Sequence, residues 1–287
     1  MKHAYLIIAH NEFEVLQKLL LALDDERNDI YVHIDKKVKL IPNLYTNKSN
    51  LIVLDNRVDV RWGHISQIEA EYLLFEEAFK SEQNYSRFHL ISGTHLPLKS
   101  QDKIHSFFDK HAEKEILSFL YTNSYEVNMK LGRYHFFVKY YQYGSEMQRQ
   151  ISQLFWRILI RLQYLFHIQK KNIPNATIKA NNWVSLTRKA VEYILSRKHL
   201  ILKEFRRSFC GDEYFVPYLL MNSDKDFKLM NSNVLLYNDF QTDSNPRILT
   251  SNDYDFLVHS DYLFARKFSH KDMVIVDKIV GYLTSMK

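Results

Sequence analysis

The chain has 287 residues, 46% hydrophobic and 25% charged, the balance of a folded globular protein with enough length for a full core. Its six glycines lie far apart, which excludes the GxGxxG and GxxxxGK[ST] phosphate loops, and a lone Cys210 excludes an intrachain disulfide or a cysteine-cluster zinc site. A net charge of +6 favours anionic partners (phosphates, membrane surfaces or nucleic acid) without choosing among them. In chain order, HAYLIIAH (3–10) reads as a buried strand. Asn11 then caps a helix whose apolar side is Val15, Leu16, Leu19, Leu20 and Leu23. IYVHID (30–35) and LIVLD (51–55) are the next strands. SQIEAEYLLFEEAFK (66–80) predicts a helix that opens with Ser66 and two early glutamates, which suit the positive N-terminal end. FHLIS (88–92) is a fourth strand; the loop GTHLPLKS and a helix over 102–111 lead to a fifth, ILSFL (116–120). This rhythm implies an α/β fold, a mostly parallel central sheet flanked by helices. Such sheets bind ligands beyond the carboxyl ends of their strands, where His10, Asp35 and Ser92 fall.

Residues 121–180 break the alternation. RYHFFVKYYQY (133–143) is dense in aromatics. Over 146–168, Ile151, Leu154, Phe155, Ile158, Leu162, Leu165 and Phe166 recur at helical spacing beside Arg149, Arg157, Arg161, Lys170 and Lys171. Two readings stay open for this helix. The preferred one packs the stripe on the protein's own core with the arginine stems snorkelling; the other lays it on an anionic membrane. Pro174 ends the segment. NNWVSLT (181–187) is strand-like, helices follow over about 188–195 and 213–221, and 233–240 and 256–264 read as strands or extended segments. Repeats, low-complexity tracts and linkers are absent, so the chain reads as one compact domain. The 13 histidines form no HExxH, and a metal site has weak support.

Candidate chemistry lies in VHIDKK (32–37), DVRWGHISQIEAE (59–71), FHLISGTHLPLKS (88–100) and the dispersed GDEYF (211–215), NPRILT (245–250) and LFARKFS (263–269). Singly, each has a plain structural reading: Asp35 caps a turn, Trp62 sits in a core, Glu213 caps a helix start. Taken together, RWGHISQIEAE, HLISGTHLPLKS, VHIDKK and LFARKFS resemble the core-2/I-branching glycosyltransferases, glycosyltransferase family 14, which include beta-1,6-N-acetylglucosaminyltransferases and peptide O-xylosyltransferases. The likeness is good over 3–120 and 233–269, fair over 181–221, and fails over about 121–180.

That resemblance implies a GT-A type fold, with a Rossmann-like nucleotide-binding half over 1–120 and an acceptor-binding, catalytic half over 121–287 that includes the variable basic segment 146–173. It also implies inverting transfer from a UDP-sugar without the metal-holding DxD motif, so no metal or other cofactor. Charge building on a leaving diphosphate must be met by fixed positive charge, which a metal ion or Arg and Lys side chains can supply. By motif matching, Arg247 and Lys267 take the diphosphate, with Arg266 a neighbouring cation. Glu213 is the catalytic base, preferred over Asp212 because helical side chains one residue apart do not share a face. His10 and Asp35 line the uridine pocket, Arg61 and Trp62 border the donor site, and Phe240 offers an aromatic platform to the acceptor. His95, where relatives usually carry aspartate, lies near the transferred sugar and acceptor. The strings Asp224-Lys-Asp226 and Asp253-Tyr-Asp255 read as chance. The expected partners are a UDP-sugar, N-acetylglucosamine before xylose, and a glycan or lipid-linked glycan of bacterial surface polysaccharide, with peripheral membrane contact open. Nucleic acid is not expected, because the basic residues are dispersed. The vertebrate members' cysteines and membrane anchor are missing, which fits a cytoplasmic bacterial enzyme working at the inner face of the membrane. A glycan- or nucleotide-binding module without turnover is the non-catalytic alternative.

Overall fold

The computed structural model describes residues 1–170, 178–240 and 245–285; Lys171 and Pro174, placed above at the end of the basic segment, lie outside the described residues. The first strand, β1 (Lys2–Ala9), is fully buried over Ala4–Ile7, as a central parallel strand covered on both faces must be. Helix α1 (Phe13–Leu23) turns Val15, Leu16, Leu19, Leu20 and Leu23 inward, the expected stripe. Asn11 is not its cap. Glu12 holds that position with φ 55°, and its carboxylate accepts bonds from Ser269 Oγ (2.8 Å) and His270 N (2.6 Å) instead.

Strands β2 (Asn28–Ile34) and β3 (Asn50–Val53), helix α2 (Ser66–Lys80) and strand β4 (Tyr85–Ser92) follow the predicted order, with α2 spanning the predicted residues. After the two-residue β5 (Leu96–Pro97), Ser100 caps α3 (Gln101–Lys110). The fifth predicted strand is divided into β6 (Lys114–Leu117) and β7 (Phe119–Leu120), because Asn231 Oδ1 draws in Phe119 N (2.9 Å) and diverts the chain. Helices α4 (Ser124–Leu131) and α5 (Glu146–Leu165) precede β8 (Lys179–Ala180), the partner of β7. Strand β9 (Ser185–Thr187) is shorter than the predicted 181–187, although Val184 O still accepts Leu90 N of β4 (2.9 Å). Then come α6 (Arg188–Ser196), α7 (Lys198–Phe205), α8 (Phe215–Met221), β10 (Lys228–Asn231) and β11 (Leu236–Asn238). The predicted extended stretch over 256–264 is instead α9 (Tyr254–His259) followed by β12 (Phe264–Arg266), and α10 (Met273–Thr284) closes the described chain.

The main sheet has the order β10-β6-β9-β4-β1-β2-β3, parallel except where β9 runs against β4 and β6. The α/β expectation of a mostly parallel sheet is met. From β1 the chain builds outward to β2 and β3, then returns to place β4 on the other side. That reversal leaves a crevice beyond the strand ends. A small second sheet, β11-β12-β5, stands nearby. One apolar core gathers buried side chains from Ala4 to Leu283.

Helix α5 overturns the preferred reading of its stripe. Ile151, Leu154, Phe155, Ile158, Leu162 and Leu165 are all exposed, while Ser152, Ile160 and Gln163 are buried. Only Trp156 joins an apolar cluster, the small one formed by Val138, Phe209 and Cys210.

Candidate active site

The carboxyl ends of β1, β2 and β4 present His10, Asp35, Ser92 and Gly93 to a cleft of about 300 Å³. The other walls include Trp62 from the loop before α2, Gln67 and Glu71 of α2, the 181–183 loop, Asp212 and Glu213, Phe240, and Arg266 and Lys267. Asp35 both shapes a turn and faces the cleft: its carboxylate accepts Lys37 N (2.8 Å) and Lys37 Nζ (2.6 Å). Gly63 makes the Trp62 loop possible. Its φ is +72°, and a Cβ there would lie 2.7 Å from the Phe209 ring, against whose face Trp62 packs edge-on at 5.3 Å. Cys210 N donates to Gly63 O (3.0 Å), so this loop and the acidic turn are tied together.

That acidic turn is a 3-10 turn, Gly211–Glu213, running into α8. Both Asp212 and Glu213 face the cleft, so helical register does not separate them; their surroundings do. Glu213 is partly exposed, and its Oε2 lies 2.9 Å from Lys130 Nζ and 3.4 Å from Lys179 Nζ. Glu126 bridges the same two lysines (2.9 and 3.0 Å). Asp212 is buried and accepts Gln67 Nε2 (2.8 Å); burial, then the charge of Glu213, pushes its pKa well above the carboxylate range.

Glu71, one helical turn after Gln67, reads in the sequence only as the second of two early glutamates suited to the positive end of α2. It is completely buried, has no ion pair among the described residues, and is raised well above the usual range by burial and then by Asp212. A signal was present: Ile68, Glu71, Tyr72 and Phe75 share the buried stripe of α2, and a carboxylate on such a stripe is out of place. A raised carboxyl favours the fold at low pH and disfavours it once pH passes the unfolded value. Glu71→Gln is therefore expected to stabilise the protein by about 1–3 kcal/mol at about pH 8, with the gain shrinking towards about pH 5. Urea denaturation of both proteins at the two pH values reads this directly.

Two adjacent cations occupy the end of β12. The Arg266 guanidinium lies over the Trp183 ring at 5.2 Å and, like Lys267, makes no ion pair among the described residues. Burial pushes Arg266 down to about 10, and burial followed by Arg266 lowers Lys267. Unpaired cations in a partly buried cleft are costly alone and suit an anionic ligand.

The structure therefore brings His10, Asp35, Trp62, Glu213, Phe240 and Lys267 to one cleft, and three expected residues stand apart from its lining. Arg247 is engaged within its own loop, by Asp239 Oδ2 (2.6 Å) and by both oxygens of Asp253 (2.8 and 2.6 Å). Arg266, the neighbouring cation, lines the cleft beside Lys267. Arg61 pairs with Asp59 (2.8 Å) and lies over the Tyr143 ring at 5.0 Å. His95 is fully buried beneath Trp183, its Nδ1 accepting Ser92 N (3.1 Å), and burial followed by Arg266 drives its pKa far down. Of the DxD strings, Asp253 serves Arg247 and Thr250, while Asp224 and Asp226 are exposed away from the cleft. Among the described residues no group of three His, Cys, Asp or Glu side chains converges as a metal site.

Comparison with known proteins agrees with the motifs. Xylosyltransferase 2 of Rattus norvegicus is 21% identical over 252 residues, which cover 82% of this chain and 26% of that protein; the chain thus spans about a quarter of the relative's length. The crystal structure of mouse xyloside xylosyltransferase 1 in its apo form overlaps 92% of this chain and 96% of its own, with a TM-score of 0.39 and 11% identity. The profile of the core-2/I-branching enzymes matches residues 3–261, and the chain belongs to that family of glycosyltransferases.

Proposed function

We propose that the cleft transfers a sugar from a UDP-sugar to a hydroxyl of a glycan acceptor, with inversion at the anomeric carbon and with side-chain cations meeting the diphosphate charge. The observation that carries this reading is the presence of two cations, Arg266 and Lys267, without ion pairs among the described residues, in one cleft with Glu213. Asp35 and His10, at the ends of β2 and β1, hold the uridine. Glu213 takes the proton from the acceptor hydroxyl as its oxygen bonds to the anomeric carbon. The bond from that carbon to the diphosphate oxygen breaks on the opposite face, and UDP leaves with its new charge against Arg266 and Lys267. Trp62 and Phe240 supply aromatic faces for sugar rings. N-acetylglucosamine is the donor sugar of this proposal, and a hydroxyl of a surface polysaccharide or lipid-linked oligosaccharide is the acceptor. Xylose is the second reading, favoured by the likeness to rat xylosyltransferase 2.

The test is UDP release from UDP-N-acetylglucosamine and UDP-xylose, with and without glycan acceptors and with and without EDTA. Arg266→Met and Lys267→Ala are each expected to lower kcat by about 10²–10³-fold, the loss typical of one removed oxyanion donor. Arg247→Met is expected to alter the donor KM by less than about threefold, because its fork is held by Asp239 and Asp253. A rate abolished by EDTA yet retained in the Arg266 and Lys267 variants would overturn the cation mechanism. Absence of any acceptor-dependent UDP release would favour the binding-module reading.

A further inference from the structure

The inward face of α5 is mixed: Ile160 is buried and Trp156 half-buried, but the face is seated by polar contacts, in which Gln153 Nε2 donates to Tyr141 O (2.9 Å), Gln163 Nε2 to Tyr134 O (2.9 Å), Trp156 Nε1 to His135 Nδ1 (2.9 Å), and Ser152 Oγ to Phe137 O. Its outward face is apolar, with Ile151, Leu154, Phe155, Ile158, Leu162 and Leu165 between 40% and 69% exposed. Phe137, itself 53% exposed, packs on Phe155 at 5.7 Å and widens the patch. A surface helix of a globular protein has the reverse arrangement. A contiguous exposed stripe of this kind marks a surface that something else covers.

Charge indicates what covers it. Arg157 and Arg161, one helical turn apart and both exposed, run along one border of the stripe. From Met147 to Val191 the sequence contains no aspartate or glutamate. A second copy of the chain, docked by two-fold symmetry along the stripe, would set Arg157 and Arg161 beside their own copies, and the one acid of the helix, Glu146, is held at its N-terminal end by Gln150 Nε2 (3.3 Å). An anionic bilayer offers both an apolar interior and negative headgroups. No helix of the described residues is long and apolar enough to cross a membrane, so such a contact lies in the membrane plane.

Position adds a third observation. The N-terminal end of α5 borders a cavity lined by Gln142, Glu146, Arg149 and Asn245, and two of these residues, Gln142 and Asn245, also line the active-site cleft. We propose that α5 docks the protein on an anionic lipid surface, its apolar stripe among the acyl chains and its arginines at the headgroups. This contact sets the cleft mouth beside the bilayer, where a lipid-borne acceptor would present its glycan. The contact needs no chemistry in the cleft, so its test uses no substrate and stands apart from the proposed reaction.

The full chain is sedimented with phosphatidylcholine vesicles, with and without phosphatidylglycerol, at physiological salt. Binding is expected to the anionic vesicles and at least about tenfold weaker to the neutral ones, with a steep loss as salt is raised. The variants L154Q/I158Q/L162Q and R157Q/R161Q are each expected to lose at least about tenfold in binding, with unchanged circular dichroism, since every substituted side chain is exposed. A labelled variant guards against misfolding of these variants. Cys210 is buried, so a polarity-sensitive dye on Ile158→Cys reports α5 alone, and its emission should shift to the blue on anionic vesicles. Wild-type protein that stays in the supernatant with anionic vesicles, or a dye whose emission is unchanged, overturns the proposal. So does a concentration-dependent dimer that L154Q/I158Q/L162Q makes monomeric without any vesicle binding.

Discussion

Glu213→Gln is expected to lower kcat for sugar transfer by about 10²–10⁴-fold with the donor KM nearly unchanged, the loss of a general base rather than of a binding contact. The substitution keeps the shape of the side chain and removes its ability to accept a proton. The fold is expected to persist, because Lys130 and Lys179 keep Glu126 as their counter-charge at 2.9 and 3.0 Å. Asp212 is the competing carboxylate and faces the same cleft. It is buried, tied to Gln67, and displaced towards its neutral form by burial and by Glu213, whereas Glu213 is the more exposed of the two. Asp212→Asn is accordingly expected to cost less, about tenfold, through disturbance of Gln67 and Glu71 rather than loss of the base. Steady-state UDP release from both variants decides between them. A severe loss in Asp212→Asn with near-normal turnover in Glu213→Gln would move the base by one residue.

The parts of this site that the sequence made legible are those set by backbone periodicity. Apolar runs at 3–10, 30–35 and 88–92 can only be interior strands, and strand ends of such a sheet border a crevice, so His10 and Asp35 followed from position alone. What escaped is which charged groups are already paired. Arg247 has acids close by in sequence, Asp239 and Asp253, yet nothing in their spacing shows that both fold onto one guanidinium. Arg266 and Lys267 are neighbours, and in a continuing strand they would point to opposite faces, yet both line the cleft at the end of β12. Periodicity likewise located the stripe of α5 but not the direction in which it faces, which depends on the polar partners that Ser152, Trp156 and Gln163 find in 134–141. Helices α4 and α7 are short, of eight residues each, and bury little of their own surface, so their pattern is too brief to read.

Acidification below about pH 6.5 is expected to lower the stability of the fold steeply, because six histidines are buried as neutral rings. His3, His33, His89, His95, His105 and His135 are all buried, and burial leads the causes that lower each. His33, His105 and His135 are pushed down to about 4. A ring whose folded pKa lies below its unfolded value takes up its proton more readily when unfolded, so the stability it contributes is lost as pH falls from about 6.5 towards the folded value. Hydrogen bonding reinforces this. Val58 N donates to His33 Nε2 (2.8 Å), Ser92 N to His95 Nδ1 (3.1 Å) and Trp156 Nε1 to His135 Nδ1 (2.9 Å), so a proton at any of these nitrogens sets donor against donor. Between about pH 6.5 and pH 5 each ring that stays neutral costs about 2 kcal/mol. Glu71, Asp212 and Glu115, raised by burial, act in the opposite sense over the same range. Six rings opposed by three carboxyls leave a net loss of stability as pH falls through this range. Urea midpoints measured from neutral to about pH 5 should fall accordingly, and His105→Gln should flatten the curve by one ring's share, about 2 kcal/mol. A stability that stays level across that range would mean that these rings accept protons without leaving the core, and the neutral, acceptor-bearing core described here would be wrong.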